Sequence, residues 1–148
     1  MKENSFMQLA LEQALTAESE GEIPVGAVIV KDNEIIAKGY NTREKDCDVC
    51  GHAEINAIKA ASKVLNNWRL ENCDIYVTLE PCPMCAAAIS QSRIRAVYFG
   101  AYDKRQGACE SMMRLYDNGL EHRPEFYGGI MEEKNREMLR SFFEKRRK

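Results

Sequence analysis

The sequence contains no long hydrophobic run. No stretch approaches the roughly 18 uninterrupted apolar residues that a membrane span requires, and the first residues mix Lys2, Glu3, Gln8 and Glu12 with apolar ones. We therefore expect neither a membrane-spanning helix nor a secretory signal peptide. These expectations favour a cytoplasmic protein without a membrane partner.

An excess of basic charge is also missing. The chain has 21 Lys and Arg against 23 Asp and Glu, a formal net charge of −2, which argues against a general nucleic-acid binder. The charge is unevenly distributed, because the C-terminal residues 134–148 contain seven Lys or Arg and two Glu. A solvated helix end accounts for such a tail as well as a phosphate contact does.

Internal repeats and low-complexity segments are absent as well. At 148 residues the chain suits one domain over residues 1–148, large enough to bury a core. Without a secretory signal, the cysteines indicate a reducing compartment and metal ligands rather than disulfides. The sequence has six of them, at positions 47, 50, 73, 82, 85 and 109.

Hydrophobic periodicity predicts alternating strands and helices. Strands are expected over residues 25–30, 35–40, 75–79, 96–100 and 124–127. Helices are expected over residues 5–20, 52–66, 83–90 and after 128–129, with a short one near 112–116. Ser5 and Gln8 resemble a capping box for the first helix. The first two strands suit an antiparallel hairpin, and the strand–helix–strand order after residue 75 favours a parallel crossover. We expect an α/β protein with three layers (α/β/α) and a five-stranded mixed, mostly parallel sheet.

The most informative motif is a pair of cysteines, Cys82 and Cys85, directly behind Pro81 and in front of the apolar run 86–89. This pattern places both sulfurs on the opening turn of a helix, where free N–H groups and the helix dipole favour the thiolate that ligates zinc. Pro83 suits a first-turn position, since its missing N–H has no helical partner to lose. One histidine would complete three protein ligands and leave the fourth position for water, which is the catalytic pattern.

His52 and Glu54 supply the other half of the expected site. Residues two apart in a regular helix point about 200° away from each other. They can therefore address one site only if His52 lies at the very start of its helix. A carboxylate beside, but not on, a metal-bound water can accept its proton and return it to a leaving group.

The pattern His-x-Glu followed by Pro-Cys-x-x-Cys is a known signature of zinc nucleobase deaminases, and His52–Glu54 with Pro81–Cys85 matches it in full. Beyond this signature the chain resembles the bacterial-type tRNA-specific adenosine deaminases, which convert the wobble adenosine of an anticodon to inosine. The resemblance covers nearly the whole chain. The residues that carry it include 21–28, 41, 76–82, 99–103, 107–108, 122–123 and 142–143.

The resemblance implies a cytidine-deaminase-like fold, a homodimer and a tRNA anticodon stem-loop as partner. It implies that His52, Cys82 and Cys85 hold one zinc ion per chain. Glu54 would be the catalytic residue that shuttles protons to the purine ring and to departing ammonia.

The same resemblance implies the residues that bind substrate. Asn41 and the Ala53 backbone would hydrogen-bond the base, and Val25 would line its pocket. Glu80 and Asp103 would contact the flanking nucleotides. Phe143 and the basic residues around Arg146 would pack against the anticodon loop.

A departure from the family pattern opens an alternative for the metal. Where the family usually has Asp-Pro-Thr-Ala before its histidine, this chain has Asp-Val-Cys-Gly at residues 48–51. Cys47 and Cys50 could therefore join Cys82 and Cys85 in a closed structural zinc site. Such a site would give Glu54 no function, and its 31-residue separation exceeds the roughly 15–20 residues of common zinc ribbons.

Two other functions compete with tRNA editing. A deaminase of a free base or nucleotide, such as guanine or cytosine, shares the zinc signature but does not require Asp103 together with a basic C-terminal helix. A zinc-stabilised RNA-binding module without catalysis would need no proton shuttle at Glu54.

Overall fold

The structure, a computed structural model, describes residues 2–146. The helices are α1 (Lys2–Ser19), α2 (Ala53–Leu65), α3 (Pro83–Gln91) and α4 (Glu132–Arg146). The strands are β1 (Gly26–Lys31), β2 (Glu34–Tyr40), β3 (Cys73–Leu79), β4 (Ala96–Ala101) and β5 (Glu125–Tyr127). No helix within residues 2–146 is long and apolar enough to cross a membrane.

The predicted elements are present, with three differences. α1 begins at Lys2, so Ser5 lies inside the helix and the predicted capping box is wrong. The short helix expected near residues 112–116 is one 3₁₀ turn at Leu115–Asp117. The last helix begins at Glu132, later than expected, because Gly129 and Met131 have φ values of +83° and +53°, which a right-handed helix cannot contain.

The five-stranded sheet has the order β2-β1-β3-β4-β5. Four strands run in one direction and β1 runs against them, so the expectation of a mixed, mostly parallel sheet holds for strand direction. It does not hold for pairing. β1 pairs antiparallel with both β2 and β3, whereas β3–β4 and β4–β5 are parallel. The sheet therefore has two antiparallel and two parallel strand pairs, because the connection from β2 through α2 to β3 places β1 between its two antiparallel neighbours.

Each face of the sheet carries its own apolar core, because side chains alternate along a strand. On one face Ile29 packs among alanines of α2 and residues of α3. On the other, Val28 packs with Met7 and Ala10 of α1. The predicted three-layer α/β/α arrangement is confirmed. Burial of each large aliphatic side chain stabilises the fold by about 1.5–3 kcal/mol.

The start of α2 lies unusually close to the sheet. A Cβ added to Gly39 in β2 would lie 2.5 Å from both the Ala53 carbonyl oxygen and the Ala57 nitrogen. Only glycine in the strand and small residues on the helix permit this approach. The contact fixes the first turn of α2 and therefore the position of His52 and Glu54.

Candidate active site

Two helices begin at this site, and each is preceded by a side chain of a type that can bind a metal. His52 is the N-cap residue of α2 and Cys82 is the N-cap residue of α3, both with extended backbone conformations. Neither side chain caps its own helix through a hydrogen bond, so both point elsewhere. Cys85 follows in the first turn of α3, behind Pro83. The prediction that His52 lies at the very start of its helix is confirmed.

The three predicted ligands converge. The Nδ1 atom of His52 lies 3.6 Å from the Cys82 sulfur and 3.5 Å from the Cys85 sulfur. A tetrahedral zinc ion with a Zn–S distance of about 2.3 Å and a Zn–N distance of about 2.1 Å places nitrogen and sulfur about 3.6 Å apart. Within residues 2–146 this is the only cluster of three such side chains compact enough to hold a metal ion. One nitrogen and two sulfurs in this geometry fit zinc.

The alternative Cys₄ site is wrong. Cys47 and Cys50 are exposed and do not belong to the ligand cluster. The Cys47 sulfur faces the Glu44 carbonyl oxygen at 3.7 Å instead. The loop between β2 and α2 folds back on itself through local hydrogen bonds, which keeps this cysteine pair away from α3.

Glu54 lies beside the ligand cluster without belonging to it. The residue is buried, with 4% of its surface exposed. Burial raises the pKa of Glu54 to about 7. A carboxyl group whose pKa lies near neutral pH can both accept and donate a proton, as general acid–base catalysis requires.

The two cysteines have opposite pKa shifts. A hydrogen bond from Cys85 and another from His52 lower the pKa of Cys82 to about 4. Its hydrogen bond to Cys82 and its burial raise the pKa of Cys85. The hydrogen bond to Cys82 also raises the pKa of His52. A divalent cation bound at this cluster would hold both sulfurs as thiolates.

A cleft of about 460 Å³ opens over these residues, a volume typical of small-molecule sites. Besides His52, Glu54 and Cys82, the predicted binding residues that line it are Val25, Asn41, Ala53, Glu80, Asp103 and Phe143. The structure thus brings together every predicted site residue except Arg146.

Asn41 is held rigidly at the cleft. Its Nδ2 atom donates to the Ile23 carbonyl oxygen at 3.2 Å, and its Oδ1 atom accepts the Arg43 backbone N–H at 3.1 Å. An amide nitrogen carries two hydrogens, so one donor remains for a ligand. Ala53 is the first residue of α2, and its N–H has no partner within the helix. The cleft therefore offers two fixed donors beside the ligand cluster.

A comparison with protein families decides what this arrangement is. The model of the cytidine and deoxycytidylate deaminase zinc-binding region matches residues 1–101. The chain belongs to this deaminase family. Zinc is the cofactor, and the ligand cluster is where this chain would hold it.

The relatives of the deaminase narrow its position within the family. It is 46% identical to the tRNA-specific adenosine deaminase of Agrobacterium fabrum, over 96% of this chain and 94% of the relative. It is also 46% identical to a solved structure from work on A-to-I editing by tRNA:A34 deaminases at the wobble position, with a TM-score of 0.89 over 91% of this chain and 99% of that one. A guanine deaminase from Bacillus subtilis is 36% identical, with a TM-score of 0.65 over 83% and 82%. By sequence and fold the deaminase belongs to the tRNA-specific adenosine branch, and the predicted cytidine-deaminase-like fold is confirmed.

Glu80 lines the cleft and also holds a loop of the deaminase. It is 2% exposed, and its two oxygens accept the backbone N–H groups of Asp103, Cys109, Glu110 and Ser111 at 2.8–3.1 Å, together with the Ser111 hydroxyl. Burial alone would raise the pKa of Glu80, but these hydrogen bonds outweigh it and lower the pKa. Five donors occupy the acceptor capacity of one carboxylate. Its hydrogen bonds join Glu80 to the loop of residues 103–111, and the expected contact between Glu80 and a nucleotide stays a prediction.

Arg146 does not line the cleft, and its expected contact with an anticodon loop stays a prediction. Its guanidinium donates to the Gly21 carbonyl oxygen at 2.7 Å and lies 4.8 Å from the centre of the Phe142 ring. Phe142 is buried, whereas Phe143 is 43% exposed and lines the cleft. The C-terminal helix thus contributes an aromatic side chain to the site. Arg147, which was expected to add charge here, lies outside the described residues.

Three cationic residues of the cleft were not predicted from the sequence. Arg43, Lys104 and Arg105 line the cleft and are exposed. Lys104 and Arg105 directly follow Asp103, and that adjacency was the available signal. Arg43 gave no signal, because an isolated cation in a polar loop is common.

Proposed function

We propose that this deaminase hydrolyses the wobble adenosine of a tRNA anticodon loop to inosine and releases ammonia. The observation that carries the proposal is the buried Glu54 carboxyl beside the cluster of His52, Cys82 and Cys85, at a cleft with fixed hydrogen-bond donors. The relatives named for this reaction align with nearly the whole chain.

In the proposed reaction, His52, Cys82 and Cys85 hold the metal. Bound zinc would act as a Lewis acid that lowers the pKa of the attacking water towards neutrality. Glu54 accepts a proton from the attacking water, whose oxygen bonds to C6 of the purine. Glu54 delivers that proton to N1 of the ring. It then takes the proton of the new C6 hydroxyl group and delivers it to the amino group, the C6–N bond breaks, and ammonia leaves. Adenosine and water thus become inosine and ammonia.

The remaining residues would orient the substrate. The free hydrogen of the Asn41 amide and the N–H of Ala53 would bind the base, and Val25 would contact its face. Asp103 and Phe143, which line the same cleft, would contact the neighbouring nucleotides. A base in a single-stranded loop is already unstacked, so it can enter such a pocket at little energetic cost.

The proposal extends to the partner and the assembly. An anticodon stem-loop is the partner that the cations at the cleft, Arg43, Lys104 and Arg105, would suit. A homodimer is supported by two large apolar side chains, Val64 and Trp68, which are exposed at the end of α2. A tRNA substrate and free thiols together fit the cytoplasm.

The test is to incubate purified protein with an anticodon stem-loop that carries a wobble adenosine and to measure inosine and ammonia. Free adenosine, adenine, guanine, cytosine and cytidine run in parallel. We expect conversion of the stem-loop well above that of any free compound. Conversion of guanine without the stem-loop would favour the free-base alternative, and zinc binding without any ammonia release would favour the non-catalytic module.

A further inference from the structure

Two buried glutamates take no part in the chemistry described above. Glu22 and Glu80 are each 2% exposed, and neither belongs to the metal-binding cluster. A carboxylate is costly to bury unless hydrogen bonds compensate it. Both residues obtain those bonds from backbone N–H groups of loops that are distant in sequence.

Glu80 holds the loop after β4. Besides accepting the N–H groups already described, it packs so closely against Gly107 that a Cβ there would lie 2.4 Å from the Glu80 carboxyl carbon. The neighbouring Ala108 N–H donates to the Pro81 carbonyl oxygen at 2.8 Å. Residues 103–111 are thus bound to the segment that directly precedes Cys82.

Glu22 holds the loop between β2 and α2 in a similar way. Its Oε1 atom accepts the Glu44 N–H at 3.1 Å and its Oε2 atom accepts the Lys45 N–H at 2.7 Å. This loop connects Asn41 to His52. Residues at both ends of the loop therefore belong to the site.

Both loops contribute side chains to the cleft lining. Arg43 comes from the loop held by Glu22, whereas Asp103, Lys104 and Arg105 come from the loop held by Glu80. Hydrogen bonds to a charged acceptor are roughly twice as strong as neutral ones, and several of them on one carboxylate restrict a loop to one conformation. A loop that is already ordered loses less entropy when a ligand binds.

We propose that Glu22 and Glu80 are positioning residues that hold the two loops of the cleft in the conformation that binds RNA. This inference rests on the proposed tRNA substrate. Neither residue touches the reacting atoms, so their loss changes binding of the stem-loop and leaves the chemical step intact. A residue of merely structural importance would lower stability without separating KM from kcat.

The first test does not depend on activity. Amide hydrogen exchange is measured on zinc-loaded Glu80→Gln and Glu22→Gln, each serving as the control for the other. We expect Glu80→Gln to expose the amides of residues 103 and 109–111 alone, and Glu22→Gln to expose those of residues 44 and 45 alone. Unchanged protection in either loop overturns the proposal.

The second test measures affinity and steady-state kinetics with the wobble-adenosine stem-loop. We expect each variant to raise Kd and KM about tenfold or more, as small displacements of positioning groups do, while kcat stays within about twofold. Glu12→Gln, an exposed residue of α1, is the matched control and should change neither constant. A fall in kcat with Kd and KM unchanged contradicts a positioning role.

The positioning role can still be tested if Glu80→Gln does not fold or if the wild type does not convert the stem-loop. If Glu80→Gln does not fold, Ser111→Ala removes one donor to the same carboxylate and should raise Kd by a smaller factor. If the wild type binds the stem-loop without converting it, the proposed reaction fails, and the Kd values of the variants still decide the positioning role. A wild type that does not bind the stem-loop overturns both proposals.

Discussion

Glu54 lies two residues after His52, yet both side chains reach the same site. The explanation is the extended backbone of His52, whose φ and ψ are −84° and 156°, ahead of the first helical residue. The imidazole is thereby released from the helical spacing that would point it away from Glu54. The carboxyl group stays in the first turn of α2, buried and close to Cys85.

Replacing Glu54 with Gln preserves its size and removes its ability to carry a proton. We expect kcat to fall by about 10²–10⁴-fold, the usual contribution of general acid–base catalysis. Zinc content, measured by atomic emission, should remain at one ion per chain because Glu54 is not in the ligand cluster. Ammonia release at the wild-type rate would reject Glu54 as the proton carrier.

Cys50 and Cys82 differ in their relation to the metal. Cys82 lies 3.6 Å from His52 Nδ1, whereas Cys50 is exposed and outside the cluster. We expect Cys82→Ala to lose zinc and Cys50→Ala to retain one ion per chain. The measurement is zinc stoichiometry after dialysis against a weak chelator. Metal loss in Cys50→Ala would revive the Cys₄ alternative.

At the scale of elements, the contact between α2 and β2 sets the position of the site. The Cβ of an alanine at Gly39 would meet backbone atoms of Ala53 and Ala57, and backbone atoms cannot move aside as a flexible side chain can. The first turn of α2 therefore has to shift if the strand residue grows. His52 and Glu54 would shift with it.

Gly39→Ala should lower the free energy of unfolding by about 1–3 kcal/mol, the usual effect of overpacking. It should also weaken zinc binding, because His52 moves relative to α3. Urea denaturation gives the first quantity and competition with a zinc indicator gives the second. The matched control is Lys38→Ala, an exposed neighbour in the same strand, which should change neither quantity.

At the scale of the whole molecule, charge distribution matters more than net charge. The formal net charge is −2, yet Arg43, Lys104 and Arg105 lie together at the cleft. An anionic ligand that spans the cleft would meet these cations although the chain as a whole is acidic. Phosphate contacts of this kind make binding depend on salt.

Replacing both Lys104 and Arg105 with alanine should weaken stem-loop binding and flatten its salt dependence. Each lost phosphate contact should reduce the slope of log K against log salt by about 0.7, the value for a single strand. Fluorescence anisotropy over a salt series measures the slope. Lys59→Ala, an exposed residue of α2 outside the cleft, is the control. Equal slopes for the double variant and the wild type would exclude these contacts.

The sequence by itself determined the residues that fit zinc, the acid beside them and most elements of the fold. These features depend on spacing within short segments: His52 with Glu54, and Cys82 with Cys85, each at the start of a helix. Helix starts and hydrophobic periodicity are local properties, so a single sequence is enough to predict them.

Only the tertiary structure decided which distant segments meet. It placed Cys47 and Cys50 away from the metal site, turned Glu80 towards the backbone of a loop more than twenty residues further along the chain, and gathered cations from two loops at the cleft. It also placed the reversed strand β1 inside the sheet. Such contacts depend on how whole elements pack, and no local pattern of residues encodes that packing.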